Sequence, residues 1–220
     1  MIASNLKTIL DVIPAHVTLV AVSKTKPVSM IQEAYDFGQR DFGENKAQEI
    51  LDKFDKLPQD IRWHFIGHLQ TNKVKQVIDK VHLIHSMDRE SLFVELEKQA
   101  AKLNRVVDVL LEFHIAEEET KHGFSWDEAL VFMNSDRVKN AQHVRIVGVM
   151  GMATFTEDEG QILAEFRTLK QYFDNLQSGF FKDSSDFSVV SMGMSGDYEL
   201  AVECGSTMVR VGSAVFGGRG

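Results

Sequence analysis

The sequence has few of the features that mark exported or membrane-embedded proteins. It contains one cysteine, Cys204, which excludes an internal disulfide and predicts a reduced cytosolic thiol. Its N-terminus lacks the basic and then apolar pattern of a secretory signal peptide. No apolar run approaches the roughly 20 residues that a membrane-spanning helix needs. We therefore expect a cytoplasmic protein with no membrane association.

The chain also lacks the breaks that divide a protein into domains. It has 3 prolines, no Gly/Ser-rich stretch and no block of about five or more like charges, so we expect one domain over residues 1–220. Hydrophobic residues make up 44% of the sequence, enough for a substantial core. The net charge of −8 repels a phosphate backbone, so nucleic acid is not an expected partner. A small anionic ligand stays compatible with this charge.

Short β-rich runs alternate with helical patterns along the chain. Strands are predicted at 17–22, 41–42, 63–66, 81–85, 106–113, 144–148, 187–190 and 208–211. Helices are predicted at 28–37, 44–56, 71–79, 89–102, 126–133, 157–176 and 196–204 and near residue 214. Eight such units average roughly 27 residues, which suits a small (β/α)8 barrel. An open doubly wound sheet normally has fewer strands, so we predict a single-domain (β/α)8 TIM barrel of the α/β class.

Lys24 follows the first predicted strand, in the run VAVSK. Alternation places it on the face of Val20 and Val22, and the chemistry of a barrel lies where its strands end. If that face is the interior, burial favours the neutral amine, which can attack a carbonyl carbon. The alternative is an ordinary surface lysine. Lys26, in the following turn, is a competing nucleophile.

Two Gly/Ser-rich turns follow the seventh and eighth predicted strands. Ser195 lies in the run SMGMSGD, and Gly212 and Ser213 follow the last strand. In this type of barrel, the loops after strands 7 and 8 commonly bind phosphate through backbone N–H groups at the start of a short helix. We therefore predict that Ser195, Gly212 and Ser213 bind a phosphate group, with simple turn formation as the alternative.

Two further polar side chains lie at or near strand ends. Arg210 alternates with Val209 and Val211, so we expect it to point into the barrel. A buried guanidinium keeps its charge and needs a partner. A carboxylate of the barrel and the pyridine nitrogen of a ligand both fit that role. Asn45, after the second strand, is a candidate hydrogen-bond partner for a phenolic oxygen.

The histidines do not have the spacing of metal ligands. Gly67 interrupts the helix that His64 and His68 would need in order to bind zinc together, and the glutamate of a His-Glu-x-x-His motif is missing. His82 and His85 have opposite parity on a strand and point to opposite faces. We therefore predict no metal site.

Five ordered blocks carry a specific resemblance to a known family. They read VSKTKP (22–27), FGENKAQE (42–49), HFIGHLQTNK (64–73), GMSGD (193–197) and GSTMVRVGSAVFG (205–217). Between about residues 17 and 217 the chain resembles the pyridoxal phosphate homeostasis protein family. One departure is HIA (114–116), where the family more often has a Val-Asn pair after strand 5.

This resemblance implies a single barrel related to the N-terminal domain of alanine racemase, which binds pyridoxal 5′-phosphate (PLP) as a Schiff base. By the same resemblance, Lys24 is the Schiff-base lysine, Arg210 faces the pyridine nitrogen and Asn45 lies near the ring hydroxyl. The residues implied to hold the phosphate are Ser195, Gly212 and Ser213.

The sequence favours a carrier over an enzyme. PLP stabilises carbanions mainly when its ring nitrogen is protonated, and arginine cannot accept that proton. Alanine racemase tolerates such an arginine but needs a tyrosine from a second domain as the opposite base. Here the predicted barrel uses the whole chain, and Tyr35, Tyr172 and Tyr198 fall in predicted outer helices.

We therefore expect a monomeric PLP carrier that regulates intracellular PLP and amino-acid homeostasis with little or no turnover. Apo forms of PLP-dependent enzymes are its expected protein partners. Two alternatives stay open: a minimal PLP-dependent amino-acid racemase that uses Lys24, and a phosphate-binding barrel without PLP.

Overall fold

A closed barrel of eight parallel strands forms the centre of the protein in a computed structural model, which describes residues 1–118 and 122–218. The strands are β1 (Thr18–Val22), β2 (Asp41–Glu44), β3 (Arg62–Phe65), β4 (Val81–Met87), β5 (Val107–Phe113), β6 (Val144–Gly151), β7 (Val189–Ser191) and β8 (Met208–Val211). Each strand pairs with the next along the chain, and β8 pairs with β1. The predicted (β/α)8 barrel is confirmed.

Helices surround this barrel. They are α1 (Ile2–Val12), α2 (Val28–Asp36), α3 (Ala47–Phe54), α4 (Val74–Val77), α5 (Glu90–Lys102), α6 (Trp126–Asn134), α7 (Asp136–Lys139), α8 (Glu159–Gly179), α9 (Tyr198–Glu203) and α10 (Ser213–Phe216). The helix predicted from residue 44 begins at Ala47, because Glu44 still pairs with Phe65 of β3. Within the described ranges, no helix has the length and apolar character needed to cross a membrane.

Helix α1 lies outside the eight predicted strand–helix units. Its buried residues Ile2, Leu6 and Ile9 recur at the spacing of one helical face and belong to an apolar cluster shared with α2 and α10. Asn5 Nδ2 donates a hydrogen bond to Val215 O of α10 at 2.9 Å. The helix therefore fills the outer ring between α2 and α10.

Strand alternation separates two apolar regions. Outward-facing side chains such as Leu19, Phe42 and Val209 pack beneath the helices. A second cluster, of opposite parity, consists of Val20, Leu83, Leu110, Val147, Met150 and Met208. Polar side chains also occupy the strands and are at most 8% exposed: Asp41, His64, His85, Ser191 and Arg210. The interior of this barrel is therefore partly polar, whereas apolar layers usually fill such barrels.

Candidate functional site

A cavity of about 670 Å³ opens where the strands end. All the residues that the sequence predicts for the site line it: Lys24, Asn45, Ser195, Arg210, Gly212 and Ser213. They come from β8 and from the loops after β1, β2, β7 and β8. Pairing of β8 with β1 closes the barrel and brings the first and last of these segments together.

Lys24 lies two residues beyond β1 and is partly buried at the cavity wall. The next residue, Thr25, has a φ of 65°, a left-handed conformation that is uncommon for residues other than glycine. The Thr25 N–H donates to Glu49 Oε2 at 2.6 Å, and Lys53 Nζ donates to Ser23 O at 3.0 Å. Helix α3 thus holds the backbone on both sides of Lys24.

These contacts belong to a buried ion-pair cluster. Glu44, at the end of β2, accepts from Ser23 Oγ at 2.6 Å and from Lys53 Nζ at 2.7 Å. Lys53 also donates to Glu49, one turn earlier on α3, at 2.8 Å. Burial raises the pKa of Glu44 to about 7, because the attraction of Lys53 only partly offsets the lost hydration. The charge of Glu44 therefore depends on Lys53.

The ammonium group of Lys26 is engaged by the chain beyond α10. Its Nζ donates to Gly217 O at 3.1 Å and to Gly218 O at 2.9 Å. Lys26 also lines the cavity, but these bonds tie the loop after β1 to the segment after α10. These bonds hold the Lys26 ammonium at the segment after α10.

Asn45 brings an unsatisfied acceptor to the cavity. Its Oδ1 is buried and has no hydrogen-bond partner among residues 1–118 and 122–218. The backbone of Asn45 lies so close to Gly67 that a Cβ at residue 67 would come within 2.4 Å of Asn45 O. Buried polar atoms without partners are unusual in native proteins. Asn45 is therefore suited to accept a hydrogen bond from a ligand.

The loops after β7 and β8 meet at Ser195. Its Oγ accepts hydrogen bonds from the backbone N–H groups of Gly212 at 3.1 Å and Ala214 at 3.4 Å, which leaves its hydroxyl proton as a donor. A Cβ at Gly212 would lie 3.3 Å from Val22 Cβ, so glycine suits this close approach. Ser213, the first residue of α10, is exposed at the cavity wall. The hydroxyls of Ser195 and Ser213 are thus gathered at one end of the cavity.

Arg210 is 4% exposed. Its NH1 donates to Ser191 Oγ at 2.6 Å, and its NH2 donates to Gly151 O at 3.1 Å. Among the described residues, no carboxylate forms an ion pair with Arg210, so a barrel carboxylate is not its direct partner. Burial lowers the pKa of Arg210 to about 10, against the opposing effects of Glu112 and Asp197. The guanidinium therefore keeps its charge at neutral pH.

The loop after β6 forms a cavity wall that the sequence analysis did not identify. Thr154, Phe155 and Thr156 line the cavity, and the Phe155 side chain is 95% exposed. The Phe155 N–H donates to Glu118 Oε1 at 3.0 Å, and the Glu117 N–H donates to Thr154 Oγ1 at 3.0 Å. The loops after β5 and β6 are therefore joined. The position of these residues directly after a strand is the signal that could have identified them.

Segment 114–116, where the sequence departs from the resembled family, makes internal contacts. His114 Nε2 lies 2.8 Å from Ala116 O, and the His114 N–H donates to Phe124 O at 3.0 Å. The described cavity wall does not include this segment. Its contacts are those of a structural loop.

A cluster of His68, Asp88 and His122 has ligand atoms within 4.8 Å of one another. His68 Nδ1 lies 2.9 Å from Asp88 Oδ2, and Asp88 also accepts from Arg89. The rings of His68 and His122 are stacked, with centroids 4.3 Å apart and planes at 28°. Imidazole lone pairs lie in the ring plane, so nearly parallel rings do not direct two nitrogens at one ion. We assign this cluster as a hydrogen-bonded pair of His68 and Asp88 with a stacked His122 ring.

Comparison with known sequences places the chain in a family. The family "Alanine racemase, N-terminal domain" matches residues 1–220. The pyridoxal phosphate homeostasis protein of Aquifex aeolicus is 40% identical over 202 residues, which cover 91% of this chain and 86% of that protein. The protein of the same name from Synechocystis sp. is 37% identical over 214 residues, with coverage of 96% and 95%. The chain belongs to the pyridoxal phosphate homeostasis protein family.

Solved structures agree with membership of the pyridoxal phosphate homeostasis protein family. PipY of Synechococcus elongatus with PLP bound has a TM-score of 0.89 and 33% identity, covering 99% of this chain and 100% of that chain. Alanine racemase from Bartonella henselae has a TM-score of 0.76 and 15% identity, covering 98% of this chain and 60% of that chain. The second likeness is one of fold alone. The family predicted from five sequence blocks is confirmed.

Proposed function

We propose that this chain binds PLP through Lys24 and regulates intracellular PLP and amino-acid homeostasis with little or no catalytic turnover. The observation that supports this proposal is that a lysine, an arginine, an unsatisfied amide oxygen and two serine hydroxyls line one cavity. Each matches one group of PLP: the lysine matches the aldehyde, the arginine the ring nitrogen, the amide oxygen the phenolic hydroxyl, and the serine hydroxyls the phosphate. The PLP in the related PipY structure and the shared name of the relatives support the same cofactor.

The residues present fit PLP at both ends of its ring. A phenolic hydroxyl would give Asn45 Oδ1 the donor that the described protein does not supply. At the other end, the hydroxyls of Ser195 and Ser213 are suited to donate to the oxygens of a phosphate, and Gly212 has no side chain to obstruct its approach.

Lys24 is the proposed covalent anchor. Its amine bonds to the aldehyde carbon of PLP with loss of water, which gives a Schiff base. The bonds from Thr25 to Glu49 and from Lys53 to Ser23 hold the backbone that carries the Lys24 side chain. A second amine can displace Lys24 from the same carbon, so the attachment is reversible, as a carrier requires.

Arg210 supports carriage over turnover. When bound, PLP supplies an electrophilic aldehyde and, if its ring nitrogen is protonated, a sink for electrons. Arg210 is charged and cannot accept the proton of that nitrogen, so a contact with it favours the unprotonated ring. Tyr35, Tyr172 and Tyr198 lie on α2, α8 and α9, and none belongs to the described cavity wall. This placement provides no tyrosine as a second base.

We further propose that residues 1–220 form one PLP-binding domain, which acts as a monomer in the cytoplasm. The free thiol of Cys204 suits a reducing compartment. Apo forms of PLP-dependent enzymes are the proposed recipients of the carried PLP. The exposed Phe155 lines the cavity from which PLP would be transferred to such an enzyme.

Absorbance of the protein with added PLP tests the covalent anchor. Wild-type protein should show a visible band that borohydride abolishes, and mass spectrometry of a tryptic digest should place the reduced adduct on Lys24. Lys24→Ala should lose both the band and the adduct. In Lys26→Ala the adduct should stay on Lys24, because the Lys26 ammonium is engaged with Gly217 and Gly218. An adduct on Lys26 would contradict the assignment.

A further inference from the structure

A continuous chain of hydrogen bonds crosses the barrel from the start of β2 to Arg210. Asp41 Oδ1 lies 3.0 Å from His64 Nε2, and His64 Nδ1 lies 2.9 Å from His85 Nε2. His85 Nδ1 lies 3.0 Å from Ser191 Oγ, which accepts from Arg210 NH1 at 2.6 Å. The chain joins β2, β3, β4, β7 and β8, and each of its side chains is buried.

One arrangement of protons satisfies every bond of this hydrogen-bond chain with both imidazoles neutral. Arg210 can only donate, so Ser191 Oγ accepts from it and, in this arrangement, gives its own proton to His85 Nδ1. His85 therefore carries its proton on Nε2 and donates to His64 Nδ1. His64 in turn donates from Nε2 to the Asp41 carboxylate. Every bond points the same way, from Arg210 to Asp41.

The far end of the chain is a fixed negative charge. Burial opposes ionisation of Asp41, but hydrogen bonds from His64 and Arg62 outweigh it and lower the pKa of Asp41 to about 2. Arg62 donates to both carboxylate oxygens, from Nε at 2.7 Å and from NH2 at 2.5 Å. Asp41 therefore acts only as an acceptor at neutral pH.

Of the two imidazoles in this hydrogen-bond chain, His85 is the more deeply buried. Burial, with smaller effects from His64, Arg210 and His82, holds the pKa of His85 well below its ordinary value. Three further groups act on this hydrogen-bond chain from outside it. His82 places its ring 5.6 Å from that of His64, and Glu112 and Asp197 both interact with the charge of Arg210. A neutral His85 is the form that the direction of the hydrogen bonds requires.

We propose that Asp41, His64, His85 and Ser191 are positioning residues that orient the Arg210 guanidinium toward bound PLP. This inference rests on the proposed function, because it takes Arg210 as the contact of the PLP ring. Ser191 engages NH1 and Gly151 O engages NH2, so the guanidinium cannot turn without breaking the chain. Hydrogen bonds in such a series polarise one another, so the remote carboxylate stabilises a cation that it does not touch.

The proton arrangement is tested on PLP-free protein. With ¹⁵N-labelled histidine at pH 8, long-range ¹H–¹⁵N correlation spectra should show His85 as the neutral tautomer protonated on Nε2, and should show a proton on Nε2 of His64. Ser191→Ala should move the Nδ1 resonance of His85 to that of a nitrogen without a donor. A His85 that carries its proton on Nδ1, or on both nitrogens, would contradict the direction of hydrogen bonds from Arg210 to Asp41. The wild-type spectrum alone decides this point.

The positioning role is tested on PLP-loaded protein. Ser191→Ala should weaken PLP binding by about tenfold, the loss expected from an unpaired buried donor, and should shift the pH midpoint of the visible band. Ser191→Thr, which keeps the hydroxyl, should restore the midpoint. Ser86→Ala is the matched control: Ser86 is also a buried strand serine, and its hydroxyl has no partner within the described ranges.

The two serine variants separate the possible results. Equal dissociation constants and equal midpoints for Ser191→Ala and Ser86→Ala would overturn the positioning role. A wild-type protein without any visible band would instead contradict the proposed function. The histidine spectra of PLP-free protein would still decide whether the hydrogen-bond chain from Arg210 to Asp41 exists.

Discussion

The Lys53 ammonium lies 2.7 Å from the Glu44 carboxylate, and both side chains are almost fully excluded from solvent. Removing one partner of a buried ion pair leaves the other charge buried without a partner. Lys53→Met should therefore lower the free energy of unfolding at pH 8 by about 3–5 kcal/mol. Urea denaturation measures this loss. The loss of stability should be smaller at pH 5, because Glu44, with a pKa of about 7, is then neutral.

The control for this prediction is Lys56→Met, which changes an exposed lysine three residues further along the chain. Its free energy of unfolding should stay within about 0.5 kcal/mol of wild type. Equal stability of the two variants would mean that Glu44 does not need its partner.

Glu112 should make stability fall as pH rises. Burial and the nearby Asp88 raise its pKa from 4.5 to about 7, so the folded protein holds this proton more tightly than the unfolded chain. The contribution is complete below about pH 4.5 and is lost as pH rises through 7, a change of about 3 kcal/mol. Urea denaturation from pH 5 to 8 should show wild type losing stability relative to Glu112→Gln. Parallel curves would contradict the buried-acid assignment.

Ser195→Ala should weaken PLP binding by about 1–3 kcal/mol, because it removes a hydroxyl that two backbone N–H groups orient. Fluorescence or absorbance titration gives the dissociation constant, and Ser178→Ala, on the exposed end of α8, is the control. Pyridoxal without its phosphate should bind far more weakly than PLP to wild type. If it binds equally well, the loops after β7 and β8 are not the anion site.

Carriage and racemisation differ in what happens to the α-proton of an amino acid. A racemase removes this proton and returns one on the opposite face, so its substrate exchanges with solvent deuterium. With L-alanine in deuterium oxide we expect negligible exchange above that of free PLP, measured by NMR. Rapid exchange that Lys24→Ala abolishes would favour the racemase. In a separate assay, PLP-loaded protein should restore activity to an added apoenzyme.

Local sequence could predict the strand ends and therefore much of the site. Parallel strands joined by helices bring their carboxyl ends to one side, so Lys24 and Gly212 had to lie near each other once the barrel was predicted. Alternation in β8 likewise places Arg210 inside. These inferences need only the order of the strands and the parity of each residue.

The partners of those residues could not be predicted in the same way. His85 and Ser191 are 106 residues apart, and their contact depends on how β4 and β7 face each other across the closed barrel. A carboxylate of the barrel was one of two partners expected for Arg210, but its protein partners are a serine hydroxyl and a backbone carbonyl. Such contacts depend on the stagger of the strands, which no local pattern encodes.

The polar chain through the barrel also restricts how the strands can align during folding. Apolar layers tolerate exchange of one side chain for another, so they distinguish poorly between neighbouring strand alignments. A shift of β3 by one residue against β2 would turn His64 out of the interior and leave Asp41 and His85 without their partner. Burial of unpaired polar groups destabilises every such misaligned barrel. The same hydrogen bonds that orient Arg210 thus select a single alignment of the sheet.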